Sequence, residues 1–184
     1  MNHFIAIDLP GDLRGQIADQ IPYDRPGVNW VSPEKLHLTL FFCGPLTDDQ
    51  QTAVKETLQQ MALPDTPFTC PIMGGGGFTD DRGNYRVLYL SIETTDPLAQ
   101  LQAKIADAMN PLVPFDDHHD EFRPHITLGR PKAWGRGKCL VFISKLNTVK
   151  WLDLLMDHVA LYQSIPGESG HSYRQVYRRS FALD

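Results

Sequence analysis

The tetrapeptide His37-Leu38-Thr39-Leu40 returns 88 residues later as His125-Ile126-Thr127-Leu128, and this repeat restricts the fold more than any other feature of the chain. Each copy lies in a run where apolar and polar residues alternate, the period of a strand with one buried face. Leu36, Leu38 and Leu40 oppose His37, Thr39 and Phe41, while Ile126 and Leu128 oppose His125 and Thr127. Glycine ends both runs, as Gly44-Pro45 and as Gly129. An 88-residue unit is too long for a solenoid period and short for a free-standing domain. It suits two like lobes facing each other across a cleft, each carrying one copy.

The rest of the chain supplies elements for such lobes. Phe4 to Leu9 reads as an opening strand, and a helix follows Pro10 with Leu13, Ile17 and Ile21 as its stripe. Val28 to Val31 reads as a short strand, and Ser32 to Lys35 as a turn. Leu36 to Phe42 is the first motif strand. Thr47 is positioned to cap a helix, with Gln50 as its capping-box partner and Val54 and Leu58 on its apolar face. Phe68 to Met73 and Tyr85 to Ile92 read as strands. Gly74 to Gly77 read as a bend between them, since the run lacks the lysine and Ser/Thr of a phosphate loop. The spacing Leu98, Leu101, Ile105, Met109 predicts a helix from about Asp96. A loop with Pro111, Pro114 and the acidic residues Asp116, Asp117 and Asp120 follows. Phe122 to Gly129 is the second motif strand. Residues 131–150 offer either a short strand or a helix at Cys139 to Leu146. His158 to Ile165 and Tyr173 to Leu183 read as a closing hairpin. The expected class is α+β, with residues 1–184 as one bilobal domain.

Composition narrows the function classes. The opening Met1 to Asp8 has no basic region and no long apolar run, so a signal peptide is not expected. No stretch approaches 18 apolar residues, so no membrane span or membrane partner is expected. Cys43, Cys70 and Cys139 form no CxxC pair and read as reduced, buried thiols of a cytoplasmic protein. The net charge of −5 argues against a general nucleic-acid coat. Its distribution is uneven, however: residues 1–122 hold 7 Lys/Arg and 18 Asp/Glu, whereas residues 123–184 hold 10 and 4. From Arg123 to Lys150 there are seven basic residues and no acidic one. That suits a local anionic ligand better than a long duplex.

The repeated strands carry a specific chemistry. Residues i and i+2 of a strand share a face, so His37 lies with Thr39 and His125 with Thr127. Two histidines can serve as one base and one acid near neutral pH. A threonine hydroxyl can donate to a phosphate oxygen. Facing strands of this kind would surround a phosphodiester with two proton-transfer groups and two donors. One His-x-Thr-x alone carries little specificity, and it is the second copy that gives the pattern weight. A metal centre is the chemical rival. His118-His119-Asp120-Glu121 is the only dense cluster of ligating residues, but it lacks metalloprotease spacing and reads as solvated loop. His3, His158 and His171 read as structural or surface residues. Trp30, Phe41, Phe42, Phe122, Tyr173 and Tyr177 are candidates for base stacking or for core packing.

These residues resemble the 2H phosphoesterase superfamily, and more closely its LigT-like RNA 2′,3′-cyclic phosphodiesterases, also called 2′-5′ RNA ligases. The resemblance rests on Phe4-Ile5-Ala6-Ile7-Asp8-Leu9-Pro10, Trp30, Leu36-His37-Leu38-Thr39-Leu40, Phe42 with Gly44, and Arg123-Pro124-His125-Ile126-Thr127-Leu128-Gly129-Arg130. It continues through Leu161, Ser164, Gly170 and Tyr173. It implies a bilobal fold with pseudo-two-fold symmetry about a central cleft. It further implies hydrolysis of RNA 2′,3′-cyclic phosphate ends to 2′-phosphates, with reversible 2′-5′ joining of tRNA halves in some members. No metal and no other cofactor is expected. By the same resemblance His125 would activate water, His37 would protonate the departing 3′ oxygen, and Thr39, Thr127 and Arg130 would hold the phosphate. Arg123, Phe41 and Tyr173 are further substrate-binding candidates. Strand alternation puts Arg123 with His125 and Thr127, and leaves Arg130 off that face unless Gly129 bends the chain. The expected partner is an RNA 3′ end or tRNA fragment bearing a 2′,3′-cyclic phosphate, met by a monomer. The alternatives are a non-catalytic RNA-end binding module, or a phosphodiesterase for 2′-5′ oligonucleotides or another small cyclic phosphate.

Overall fold

In chain order the elements are β1 (Asn2–Asp8), α1 (Gly11–Ala18), β2 (Val28–Trp30), a 3₁₀ turn (Pro33–Lys35), β3 (His37–Pro45), α2 (Asp48–Gln60), β4 (Phe68–Cys70), β5 (Ile72–Thr79), β6 (Tyr85–Ile92), α3 (Asp96–Met109), β7 (His125–Pro131), α4 (Arg136–Leu146), β8 (Leu154–Met156), β9 (His158–Gly167) and β10 (Gly170–Ser180). They come from a computed structural model that describes residues 1–113, 121–167 and 170–181. The expected loop from Pro114 to Asp120, with His118 and His119, lies outside the described residues, as do Glu168 and Ser169 between β9 and β10.

The strands run in the order β10-β9-β1-β3-β7-β6-β5, with β2 added to the far end of β7. One pairing, Leu38 with Ile126, joins β3 to β7. It divides the sheet into a β10-β9-β1-β3 lobe and a β7-β6-β5 lobe. This is the bilobal α+β architecture that the repeat implied. A separate β4-β8 pair, not anticipated from sequence, makes a second small sheet.

Alternation supplies the core. Ile5, Ile7, Leu38, Leu88, Leu90, Ile126 and Leu128 are wholly buried on one side of the strands. Leu13 and Ile17 of α1, Val54 and Leu58 of α2, and Leu98, Leu101, Ile105 and Met109 of α3 pack against them. At about 25 cal/mol per Å² of apolar surface, each large side chain buried here favours folding by roughly 1.5–3 kcal/mol. The α2 entry follows its sequence signal: Gln50 N donates to Thr47 Oγ1 at 3.2 Å, and Thr47 N donates to Gln50 Oε1 at 3.0 Å.

One expectation is overturned, and one open choice is settled. Gly74 to Gly77 form no bend; they are the middle of β5. They are glycines because rings lie on that strand. A Cβ at Gly76 would sit 2.5 Å from the Tyr89 ring, and one at Gly77 2.5 Å from the Tyr85 ring. The ambiguous segment at Cys139 to Leu146 is helical, and α4 buries Cys139, Phe142 and Leu146. All three cysteines are free and buried. Burial raises the Cys43 thiol to about 12, so it is protonated at neutral pH.

Both motif strands contain a β-bulge at the same place. In β3, Ala6 pairs with Thr39 and Ile5 with Phe41, leaving Leu40 as the extra residue. In β7, Tyr89 pairs with Thr127 and Leu88 with Gly129, leaving Leu128 extra. A bulge inserts one residue and reverses the alternation beyond it. Each carbonyl at the bulge still finds a donor from another element. Val31 N donates to Leu128 O at 2.8 Å, and Gln102 Nε2 reaches Leu40 O at 3.4 Å.

Candidate active site

The two bulges determine which side chains face the cleft. Before Leu40, His37 and Thr39 share the side away from the buried leucines. Beyond it Phe41 turns inward, to 8% exposure opposite Ile5, and Phe42 takes the cleft side opposite Phe4. The expectation that Phe41 shares a face with His37 is therefore corrected, although Phe41 still borders the cavity beside Thr39. In β7 the same shift puts Gly129 on the core side and Arg130 on the side of His125 and Thr127. The parity objection to Arg130 disappears. Its charge acts on both His125 and Tyr173. Gly129 is required there, because a Cβ would lie 2.6 Å from the Trp30 ring and 2.8 Å from Val28 Cγ1.

The antiparallel Leu38–Ile126 pairing sets the motifs against each other. Its direction places His37 on the side of Thr127, and Thr39 on the side of His125. A cavity of about 550 Å³ opens beside them, with Thr39, Phe42, Phe78, Gln102, Arg123 and His125 in its wall.

Both imidazoles are held in the same way. His37 Nδ1 lies 2.7 Å from Lys35 O, and His125 Nδ1 lies 2.7 Å from Arg123 O. A carbonyl only accepts, so each Nδ1 carries a proton and donates it. In the neutral ring, Nε2 is then the lone-pair nitrogen. The bond also fixes the ring plane. Thr39 Oγ1 lies 3.1 Å from His37 Nε2 and links the two functional groups of that motif. Each ring is further packed by one phenylalanine and one tyrosine. Phe4 stacks on His37 at 4.8 Å and Tyr173 meets its edge at 5.4 Å. Phe78 and Tyr89 lie 5.0 Å and 5.3 Å from His125.

Burial lowers both histidines below their ordinary value. For His37, the hydrogen bond to Lys35 O and the charge of Asp8 act upward, and His125 acts downward. For His125, the bond to Arg123 O acts upward and Arg130 downward. His125 thus acts on His37, and of the two rings only His37 has a carboxylate among these influences. Burial raises the Tyr173 phenol, which stays a neutral donor.

The other candidates are distributed as follows. Arg123 orients His125 through its backbone; its guanidinium is well exposed, 4.0 Å from Glu121. His3 is 1% exposed and bonds Gln51 Nε2 at 2.9 Å, outside the motif pair. His158 is buried between Asp8 and Asp157. Among the described residues, no group of three His, Cys, Asp or Glu side chains could hold a metal ion. Among the described residues, no helix is long and apolar enough to cross a membrane. Sequence reasoning missed Phe4, Phe78 and Tyr89 as ring partners. The alternation Tyr89-Leu90-Ser91 carried part of that signal, because it put Tyr89 opposite the core face.

Known proteins resemble this chain in sequence and in fold. The chain is 28% identical to an RNA 2′,3′-cyclic phosphodiesterase of Thermotoga maritima, over 98% of this chain and 96% of that one. It is 30% identical to another protein of that name from Thermus thermophilus, over 72% and 70%. A crystal structure of a Thermus thermophilus protein has the same fold, with a TM-score of 0.82 at 24% identity over 98% of both chains. Escherichia coli LigT in its apo form gives 0.74 at 23% identity, over 97% and 96%. The family model for the 2′-5′ RNA ligase superfamily matches residues 12–164, a span that holds both histidine motifs. The chain belongs to this superfamily, the LigT-like branch of the 2H phosphoesterases.

Proposed function

We propose that the protein hydrolyses RNA 2′,3′-cyclic phosphate ends to 2′-phosphates by metal-independent acid–base catalysis. His125 takes a proton from water, and His37 gives one to the departing 3′ oxygen. Thr39, Thr127 and Arg130 hold the non-bridging oxygens as charge develops on them. Tyr173 extends the His37 wall of the cleft. Residues 1–184 act as one domain in this reading, because each lobe supplies half of the site.

The observation that carries the proposal is the matched clamp on the two rings. A carbonyl two residues earlier receives each Nδ1 proton at 2.7 Å. Both Nε2 atoms are left as the nitrogens for proton transfer. A module that merely bound an anion would be served as well by Lys or Arg, and would have no need of two oriented tautomers. The names of the Thermotoga and Thermus relatives agree with the reading.

The test is turnover of a nucleoside 2′,3′-cyclic phosphate by folded His37→Ala and His125→Ala variants. General acid–base catalysis contributes about 10²–10⁴-fold, so each variant is expected to lose about that factor in kcat. The wild type is expected to retain activity in EDTA and to release a 2′-phosphate. Near-normal turnover by both variants would overturn the reading.

A further inference from the structure

The two halves of the site are alike in ring clamp and ring packing, yet differ in what stands behind them. Asp8 ends β1 directly opposite His37, its cross-strand partner in the β1–β3 ladder. Side chains so paired have Cβ atoms about 4.5–5.5 Å apart on the same face. Asp8 is not loose there. Tyr162 Oη donates to its two carboxylate oxygens at 2.6 and 2.7 Å. His158 Nε2 lies 3.2 Å from Asp8 Oδ2 and 3.3 Å from the Asp8 amide. The opposite nitrogen of His158 donates to Asp157. His158 is 2% exposed, and Tyr162 stacks on Phe4, the ring that also stacks on His37. Two carboxylates thus share one imidazole.

We infer that Asp8, clamped by Tyr162 and His158, is the positioning residue that favours the protonated form of His37 over that of His125 and so makes it the acid of an otherwise symmetric pair. The inference rests on the proposed two-histidine reaction and adds a cause for its direction. Other groups act here from the neighbouring elements. From β7, His125 opposes protonation of His37. From β10, Tyr173 is neutral against the ring, and Arg178 acts on Asp8 and Tyr162. From α1, Arg14 acts on Tyr162 and donates to Leu9 O at 2.8 Å. Burial acts upward on Asp8, but the His158 and Tyr162 hydrogen bonds, together with the charges of His158 and Arg178, outweigh it, so the carboxyl stays ionised to lower pH than usual. On the other lobe, the charge acting on His125 is the cation Arg130, which favours the neutral ring that a base requires.

The sign gives a test that a merely structural role would not pass. Removing a facing carboxylate charge lowers an imidazole's protonated fraction about tenfold once pH exceeds its pKa, and changes little well below it. Asp8→Asn is therefore expected to lose roughly tenfold in kcat at pH 8 and less at pH 5, with KM within about twofold. NMR titration of the free enzyme, with the His37 signal assigned by its loss in His37→Asn, is expected to show His37 titrating at lower pH and His125 unmoved. Tyr162→Phe keeps the charge but frees the carboxylate, and is expected to move His37 the same way by less. If Asp8→Asn does not fold, Tyr162→Phe carries the test alone. An unmoved His37 titration in the folded variant, or an equal kcat loss at both pH values, would overturn the inference. The titration needs no substrate, so it separates failure of this inference from failure of the proposed reaction.

Discussion

At the scale of single residues, the notable choice is which nitrogen each histidine presents. The Lys35 and Arg123 carbonyls hold the Nδ1 protons, and burial lowers both rings below their ordinary value. A base must be neutral and an acid protonated. With both rings lowered, the base form survives to lower pH than usual, and the acid form is lost earlier as pH rises. The profile of kcat/KM is therefore expected to be bell-shaped, with its maximum on the acid side of the ordinary histidine value. A bound phosphodiester anion favours imidazolium, so the kcat profile should move to higher pH. Initial rates from pH 4 to 9 at low and at saturating substrate check this; a kcat profile shifted to lower pH would contradict it. Sequence alone named His37, His125, Thr39 and Thr127, because alternation and repetition are local signals. It could not name the Asp8–His158 contact, which spans 150 positions.

Among the elements, bulges and close approaches decide what alternation alone does not. Alternation placed β6 and both motif strands, and the capping box placed α2, because each depends on residues a few positions apart. Gly74 to Gly77 read as a bend in the sequence for the complementary reason. Glycine in a strand records what lies on top of it, and Tyr85 and Tyr89 belong to the neighbouring strand. Arg130 falls off the histidine face by simple parity because the extra residue at Leu128 is visible only in the pairing of β7 with β6. Gly129 shows how tight these contacts are. A methyl group there meets both Trp30 and Val28 of β2. Overpacking of this kind costs about 1–3 kcal/mol. Gly129→Ala is expected to lower Tm by ~2–4 °C for each kcal/mol lost in a chain of this size. Thermal denaturation followed by circular dichroism checks it, and an unchanged Tm would show that β2 yields freely.

For the molecule as a whole, charge is divided much as the chain is. The stretch from Arg123 to Lys150 has seven cations and no acid, and it begins at the second motif. The candidate phosphate grip, by contrast, is small: Thr39, which lines a cavity of about 550 Å³, together with Thr127 and the exposed Arg130. An RNA end held this way has few phosphates in contact. The log–log dependence of affinity on salt should then be shallow, since each neutralised phosphate of a single strand contributes a slope of only about −0.7. Titration of a short RNA bearing a cyclic phosphate, at several salt concentrations, reads this slope. A steep dependence would place a long stretch of RNA along the basic segment instead.

The paired bulges also change how the repeated tetrapeptide should be read. Each strand shows the cleft its first, third and sixth residues: His37, Thr39 and Phe42 on one side, His125, Thr127 and Arg130 on the other. The first two positions match, and the third pairs a ring with a guanidinium. A cleft built from two copies of one pattern thereby acquires a head and a tail, with flat apolar surface at one end and positive charge at the other. A ligand that is itself a base joined to a phosphate meets this asymmetry as a compass, although every other part of the duplicated pattern would let it lie either way round.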